Sequence, residues 1–447
     1  MFEPDTSGLK IWPLGIWVRP GLAGRNVAAV IFGSFTTIAL IVFMSLMQPY
    51  ILNEILHVPD GEQGFLTGRL HLLQEIITIS LVGFMGAWSD RVGRRRVYVL
   101  GLSFLGLGYL VYPLATNELQ LTLYRCVFAV GAAAAPVMLS TTVQDTPQEI
   151  SRGKWVGLNN IFQGLGVLLI ATAILSQAPA WFAGYGFDPL AAGRFTFWTA
   201  TVFCFLAALV LSRGIEKGTP AQPTKSSVAE QLGRGLRAGW NNPRLALAFG
   251  AAFIGRGDLV VIGSFLTLWI TQYGIAEGLT TAESVGRAGM LFGTVQIAAM
   301  ASAFFIGMIT DRINRVTSMC LALATAAASY TLAGMIDNPL GGGMIPVALF
   351  LGVGEISVIV AGGALLGQEA EIKNRGATVG AFNLMGGIGI MAASFFGGLI
   401  YDSIGPTAPF TMMGILNGLL LLAALVVRFR SGEPSLATDS ASGNEVA

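Results

Sequence analysis

The chain has 447 residues, of which 53% are hydrophobic and only 11% are charged, and its mean hydropathy is +0.67. A soluble domain carries about 25% charged residues, so this composition excludes an ordinary soluble protein and predicts a surface that faces lipid. The formal net charge of +1 argues against nucleic acid as a partner.

Side chains that bind metals or cofactors are scarce. The three cysteines, Cys126, Cys204 and Cys320, lie in apolar stretches without C-x-x-C spacing, so neither a disulfide framework nor a zinc site is expected. There are two histidines, His57 and His71. A phosphate-binding G-x-x-x-x-G-K-[ST] motif is absent, which argues against ATP as an energy source. We therefore expect no metal, no cofactor and no enzymatic activity.

Twelve apolar stretches follow one another along the chain. Each is about as long as the roughly 20 residues that a helix needs to cross a bilayer. The pattern predicts an all-α polytopic membrane protein with twelve spanning helices, near residues 27–50, 67–88, 97–116, 120–142, 155–178, 194–212, 246–272, 287–309, 317–336, 344–366, 377–400 and 408–428.

The lysines and arginines predict the orientation of these helices. If the N-terminus is cytoplasmic, 21 of the 26 basic residues fall in inner segments, and the outer loops between the stretches contain none. Cytoplasmic loops of membrane proteins carry such an excess of positive charge. Both termini are therefore expected on the cytoplasmic side. The N-terminal sequence lacks the order of a cleaved signal peptide.

One long polar stretch divides the twelve helices six and six. In it, Val228, Leu232, Leu236 and Trp240 recur every four residues, which predicts a short amphipathic helix on the inner surface, with a flexible linker as the alternative. The predicted units are a cytoplasmic N-terminal segment, a first helical bundle, a cytoplasmic central loop, a second bundle and a disordered tail, at residues 1–26, 27–212, 213–245, 246–428 and 429–447.

Two short patterns occur twice, half a chain apart. SRGKWVGLNNIFQGLG (Ser151–Gly166) returns as NRGATVGAFNLMGGIG (Asn374–Gly389), offset by 223 residues. GAWSDR (Gly86–Arg91) returns as GMITDR (Gly307–Arg312), offset by 221. Two matches at nearly the same offset predict two six-helix halves arranged as parallel repeats, an organisation found in secondary transporters.

These residues resemble a known family. GAWSDRVGRRR (Gly86–Arg96) is similar to the loop between the second and third helices of major facilitator superfamily transporters, G-x-x-x-D-R-x-G-R-R. LTLYRCVFAVGAAAA (Leu121–Ala135) and DTPQEISRGKWVG (Asp145–Gly157) resemble the fourth helix and the inner loop that follows it. The resemblance covers about residues 27–428 and implies that family's fold, with transport by alternating access.

The repeated G-x-x-x-D-R loops are expected to form a cytoplasmic gate. Small residues permit close helix approach or tight turns, and the aspartates can pair with nearby arginines. The resemblance implies that Asp90 also faces the start of the eleventh helix, while Asn314 departs from the pattern where the first loop has a glycine. The predicted gate residues are Gly86, Asp90, Arg91, Gly93, Arg94, Gly307, Asp311 and Arg312.

Charged residues within the predicted spans are the candidates for the transport pathway, because an ionisable group at mid-bilayer costs several kcal/mol and usually marks a functional site. One or more of the carboxyl groups is expected to carry a proton, and the arginines to attract an anionic group; structural roles in buried networks are the alternative. The candidates are Glu75, Arg125, Arg256, Asp258 and Glu355.

The sequence thus predicts a monomeric secondary transporter for a small organic solute, coupled to protons, in a bacterial inner membrane. An anionic or amphiphilic metabolite is slightly favoured as substrate. A proton-coupled multidrug or metabolite efflux pump is an alternative, although the predicted fifth span lacks the proline typical of drug exporters. A sensor or assembly factor of the same fold, without transport, is the alternative from a different class.

Overall fold

The computed structural model describes residues 5–216, 228–371 and 375–430. Within these ranges twelve helices are long and apolar enough to cross a membrane, and each one overlaps a predicted span. They are numbered 1 to 12 in chain order: Gly24–Ile55, Asp60–Val92, Arg94–Leu114, Glu118–Asp145, Glu149–Gly184, Pro189–Gly214, Pro243–Ala276, Thr281–Arg312, Arg315–Gly334, Met344–Glu369, Gly376–Ser403 and Ala408–Arg430.

Several of these helices begin at polar capping residues. Asn117 accepts a hydrogen bond from the backbone N–H of Gln120 at the start of helix 4, and Asp188 accepts one from Ala191 at the start of helix 6. Thr280 and Glu283 form a reciprocal capping box at helix 8. Such caps satisfy backbone donors that a helix leaves unpaired at its first turn, so these ends are encoded locally.

Three spanning helices contain a π-helical segment, at Ile51–Ile55 in helix 1, Val167–Leu175 in helix 5 and Val261–Phe265 in helix 7. A π-helical segment widens the helix locally and is frequent at functional sites. The segment in helix 7 begins three residues after Asp258. It therefore lies next to one of the predicted pathway residues.

Within each half, helices pack closely at small residues. An added Cβ at Gly131 of helix 4 would lie 2.5 Å from the backbone nitrogen of Leu105 in helix 3. In the second half, a Cβ at Gly352 of helix 10 would lie 2.2 Å from the carbonyl oxygen of Val295 in helix 8. Close backbone approach at small residues is how helices associate in lipid, and it explains the many glycines.

The two halves meet along helices 2 and 11 and along helices 5 and 8. A Cβ at Gly68 of helix 2 would lie 2.1 Å from the carbonyl oxygen of Ser394 in helix 11. A Cβ at Gly289 of helix 8 would lie 2.1 Å from the hydroxyl of Ser176 in helix 5. Both contacts belong to the outer ends of these helices, so the halves are closed against each other on that side.

The inner ends of the same helices are spread apart. Nothing lies within 4 Å of the Cβ position at Gly83, Gly86 or Gly307. Phe84 of helix 2 and Phe304 of helix 8 are 60% and 68% exposed. The protein is therefore open on the side that the basic residues assign to the cytoplasm.

Two surface elements lie at the open end of the protein. Before helix 1, strands Lys10–Ile11 and Ile16–Trp17 form a hairpin, and Val18 pairs with Pro147 in the loop after helix 4. The predicted amphipathic helix is present at Val228–Asn241, where it packs against helices 7 and 11. Residues 217–227 of the central loop and 431–447 of the tail lie outside the described residues.

Candidate transport site

Glu75 and Arg256 approach each other between the two halves. Glu75 of helix 2 is half-buried, and Arg256, near the middle of helix 7, is exposed. The Arg256 side chain passes Gly386 of helix 11, and the Glu75 carboxylate lies beside Gly387. The two charges interact electrostatically without closing into an ion pair among the described residues. An arginine exposed at this depth, on the open side of the protein, can receive an anionic group.

Asp258 and Glu355 lie elsewhere, inside the second bundle. Both side chains are buried. Asp258 is two residues from Arg256, so the two side chains point to different sides of helix 7, and Asp258 faces the interior of the bundle. The Asn417 amide nitrogen donates to both Asp258 carboxylate oxygens, at 3.3 and 3.2 Å. Glu355 and the Tyr330 hydroxyl lie within electrostatic reach of Asp258. This cluster joins helices 7, 9, 10 and 12 and does not face the space between the halves.

Arg125 is buried in the first bundle, with 1% of its surface exposed. Its guanidinium donates to Gln48 of helix 1 at 3.3 Å and lies over the rings of Tyr112 and Phe128, 5.9 and 5.5 Å from their centroids. These contacts hold the charge without a carboxylate partner among the described residues. In this conformation Arg125 is therefore a member of a buried network; its place on the pathway stays a prediction.

His71 links that network to the second half. Its Nε2 lies 3.4 Å from an Arg125 nitrogen and 2.9 Å from the hydroxyl of Ser264 in helix 7. His71 is buried, with 8% of its surface exposed. The outer ends are closed, and the ring is enclosed where helices 2, 4 and 7 meet.

The first gate loop is held by its own charges. Arg94 lies 3.9 Å from Asp90 and 2.8 Å from Asp145 at the end of helix 4. Gly93 has a φ of 99°, a backbone conformation that strongly favours glycine and allows helix 3 to begin directly after helix 2. Residues 372–374, which precede the eleventh helix in the sequence, lie outside the described residues. The contact implied for Asp90 there stays a prediction.

The second gate loop is built differently. Asp311 and Arg312 are exposed and form no ion pair among the described residues. Asn314 caps helix 9, accepting hydrogen bonds from the backbone N–H groups of Val316 and Thr317. The departure from the first loop's glycine therefore has a local structural reason.

The expectation that the small residues Gly86 and Gly307 of the gate loops allow close helix approach is wrong for this conformation. Gly86 and Gly307 do not mark close helix approaches, because the inner ends that carry them are separated. Asn160 and Asn383, which occupy equivalent positions in the two repeated stretches, are both exposed. The buried packing residue is the preceding Asn159, which accepts a hydrogen bond from Ser34 of helix 1 at 2.6 Å.

Several polar residues near the candidate pathway residues were not predicted from the sequence. They are uncharged, and nothing in a single sequence distinguishes them from other polar side chains in apolar helices. Only their distances to charged residues show their place. They are Gln48, Ser264, Tyr330 and Asn417.

Twelve helices in two halves, closed at one end and open at the other around exposed charges, define a membrane transport protein of the alternating-access type. The sequence matches the family model of the Major Facilitator Superfamily over residues 27–283 and 279–445. The chain belongs to this superfamily. It is a transporter and not an enzyme.

Relatives of the chain include two magnetosome proteins of Paramagnetospirillum magneticum, MamZ and MamH. The chain is 27% identical to MamZ over 406 residues, covering 88% of the chain and 62% of MamZ, so it spans less than two thirds of that relative. It is 27% identical to MamH over 403 residues, covering 88% of the chain and 90% of MamH. The similarity to MamH therefore extends over nearly the whole of both chains.

A tetracycline resistance protein, class D, of Salmonella ordonez is 23% identical over 391 residues, covering 85% of the chain and 91% of that protein. The fold is also that of the nucleoside transporter NupG, with a TM-score of 0.71 at 12% identity over 91% of this chain and all of that one. The twelve helices and the bacterial relatives place the protein in a bacterial inner membrane.

Proposed function

We propose that this protein moves a small organic solute with an anionic group across the membrane by alternating access, driven by protons. Exposed Arg256 at mid-membrane between the halves carries this proposal. A charge there is costly unless it serves a pathway. In the cytoplasm-open form its guanidinium is accessible to a solute, and a carboxylate or phosphate group would pair with it.

Glu75 is the favoured proton carrier among the three predicted acids. It lies near Arg256 and on the opposite half of the protein, so solute and proton would compete for the same positive charge. A bound anion that takes Arg256 leaves Glu75 without its counter-charge and favours the protonated form. Protonation and solute binding would then be coupled at the interface between the two halves, whose contacts change during alternating access.

Ligand-induced thermal stabilisation of the purified protein tests the proposal. A panel of anionic, neutral and cationic metabolites is measured at two pH values, since a bound ligand stabilises the folded state by mass action. Anionic members are expected to raise the melting temperature of the wild type, and Arg256→Gln to abolish that rise. Arg287→Gln, at an exposed arginine of the outer end of helix 8, is the control. A response that survives Arg256→Gln contradicts the proposal.

Transport in sealed vesicles tests the role of the proton. With a stabilising solute in hand, Glu75→Gln is expected to retain solute exchange and to lose accumulation driven by a pH gradient. Unchanged gradient-driven accumulation in Glu75→Gln would show that another residue carries the proton. Complete absence of solute flux in the wild type would favour a sensor or assembly factor.

Efflux of amphiphilic compounds is a second candidate function, favoured by the similarity to the class D tetracycline resistance protein. Helix 5 extends to Gly184 and contains Pro179. The predicted fifth span was shorter and lacked a proline, and this argument against an exporter does not hold for the longer helix. Amphiphilic compounds in the same panel distinguish the two. An exporter of this kind would be stabilised by them in the Arg256→Gln variant as well.

A further inference from the structure

A second group of polar side chains lies inside the second bundle, apart from the Glu75 and Arg256 centre. It consists of Asp258, Glu355, Tyr330 and Asn417, which we call the buried cluster. None of the four is more than 3% exposed. Each comes from a different spanning helix, namely 7, 10, 9 and 12. The site is thus a junction of the whole bundle and not a chance contact between two neighbours.

The buried cluster lacks a compensating charge of its own. It contains two carboxyl groups that interact electrostatically with each other, and neither forms an ion pair with a described residue. Its nearest arginine along the chain, Arg256, leaves the helix on another side. Buried carboxylates are retained when they are paired or bind a cation. A positive charge must therefore come from outside the protein.

Oxygen atoms without hydrogen-bond partners indicate which kind of cation would supply the positive charge. Glu355 Oε2, Asn417 Oδ1 and the Tyr330 hydroxyl are buried and have no hydrogen-bond partner of ordinary geometry. The Tyr330 hydroxyl nevertheless lies beside the Asp258 carboxylate. One shared proton would satisfy a single pair of these atoms. A metal cation coordinates several oxygens at once, so it would satisfy the buried cluster as a whole.

We propose that the buried cluster binds a sodium ion. All of its donors are oxygens, the ligands that hard cations prefer. Among the described residues no group of three or more His, Cys, Asp and Glu side chains comes together, which argues against a transition metal. One carboxylate with the neutral amide and phenol oxygens suits a small ion of charge +1, and a proton on the second carboxyl group leaves the buried cluster neutral overall.

The backbone next to Asp258 supports this assignment. The π-helical segment Val261–Phe265 follows it, and the Val261 N–H is shared between the carbonyls of Gly257 and Asp258. Departures of a spanning helix from regular geometry recur at sodium sites in transporters. Helix 7 also carries Arg256, so an ion at the buried cluster would be sensed two residues away at the proposed solute site.

The test is sodium binding to the purified full-length protein without any solute. Melting temperatures are compared in sodium, potassium, calcium and choline chloride at equal ionic strength and fixed pH. A saturable rise specific to sodium is expected in the wild type, and Glu355→Gln should weaken the apparent sodium affinity at least tenfold. Glu75→Gln, the same change at the interface between the halves, should leave it unaltered.

Binding of radioactive ²²Na⁺ to the wild type by scintillation proximity makes the test independent of variants that fold poorly. No displaceable sodium binding, equal stabilisation by potassium or calcium, or a response to pH alone would each overturn the proposal. The Arg256→Gln variant separates it from the proposed function: that variant should lose its response to anionic solutes and keep its response to sodium.

Discussion

The Nε2 atom of His71 lies 2.9 Å from the Ser264 hydroxyl, and this contact joins helix 2 of the first half to helix 7 of the second. The same nitrogen faces the Arg125 guanidinium at 3.4 Å. Arginine can only donate hydrogen bonds, so Nε2 must act as an acceptor and the ring is neutral, with its hydrogen on Nδ1. The closed outer side therefore depends on an uncharged histidine.

Acid is expected to open the outer side. A proton on Nε2 removes the acceptor and places a positive charge against Arg125, so the link is present at higher pH and lost as the pH falls. Spin labels at the exposed outer-loop positions Thr116 and Asp337 should move apart between about pH 8 and about pH 5, the range over which histidines titrate.

The histidine variants check this interpretation. His71→Gln keeps an acceptor that does not titrate, so its label distances should not depend on pH. His57→Gln, at the exposed histidine, should respond like the wild type. A pH response that persists in His71→Gln would assign the switch to another group, such as Glu75 one turn further along helix 2.

Asp402 is expected to act as a latch for the closed outer side. Its carboxylate, at the end of helix 11, accepts hydrogen bonds from the backbone N–H groups of Gly64 and Phe65 in helix 2, at 2.9 and 2.7 Å. Hydrogen bonds to a charged group contribute about 1.5–3 kcal/mol. Asp402→Asn should therefore raise the outward-open population roughly tenfold or more, measured with the same spin labels.

Ser403→Ala is the control for the latch, because the Ser403 hydroxyl donates only to the Leu399 carbonyl of its own helix among the described residues. Its label distances should match the wild type. If both variants keep the wild-type distances, Asp402 is not a latch.

Gly68→Ala should destabilise the closed outer side. The new Cβ would lie 2.1 Å from the Ser394 carbonyl oxygen, a backbone atom that cannot turn away, so helices 2 and 11 must separate. Overpacking of this kind costs about 1–3 kcal/mol and should lower the melting temperature. Gly83→Ala on the same helix meets nothing within 4 Å and should be neutral or stabilising, because alanine favours the helix by about 1 kcal/mol. Equal melting temperatures for the two variants would contradict the close contact between helices 2 and 11 at their outer ends.

Gln148 is expected to hold the N-terminal segment on the cytoplasmic face. Its side chain accepts from the Asp5 N–H and donates to the carbonyls of Asp5 and Val18, at 2.9, 2.9 and 3.0 Å. Gln148→Ala should therefore expose the segment to limited proteolysis several-fold faster, with little change in melting temperature. Gln144→Ala, whose amide donates only to Ser140 among the described residues, should behave like the wild type. Equal cleavage rates would show that the backbone pairing at Val18 suffices.

The fold was predictable from the sequence because the hydropathy and length of the apolar stretches report directly on a lipid environment. The repeated loops indicated two halves, and the orientation inferred from the basic residues stays a prediction. The conformational state was not predictable. Gly86 allows a close helix approach only in a state where the inner ends of the helices meet, and a sequence does not say which state is stable.

The charged candidates were found for a physical reason as well, since their cost in lipid makes them conspicuous. Their grouping was not predictable. Arg256 and Asp258 are two residues apart, yet one faces the space between the halves and the other a buried cluster completed by Asn417, more than 150 residues away. Such partnerships depend on how helices rotate in the bundle.

The accessibility of position 256 to water decides whether an aqueous pathway reaches Arg256. In a variant with its three cysteines replaced, Arg256→Cys is exposed to a charged, membrane-impermeant thiol reagent from the cytoplasmic side, beside Leu422→Cys on an exposed face of helix 12. We expect rapid labelling at 256 and little at 422, with protection at 256 by a stabilising anionic solute. A cysteine at 256 that is as unreactive as the one at 422 would mean that no aqueous pathway reaches Arg256.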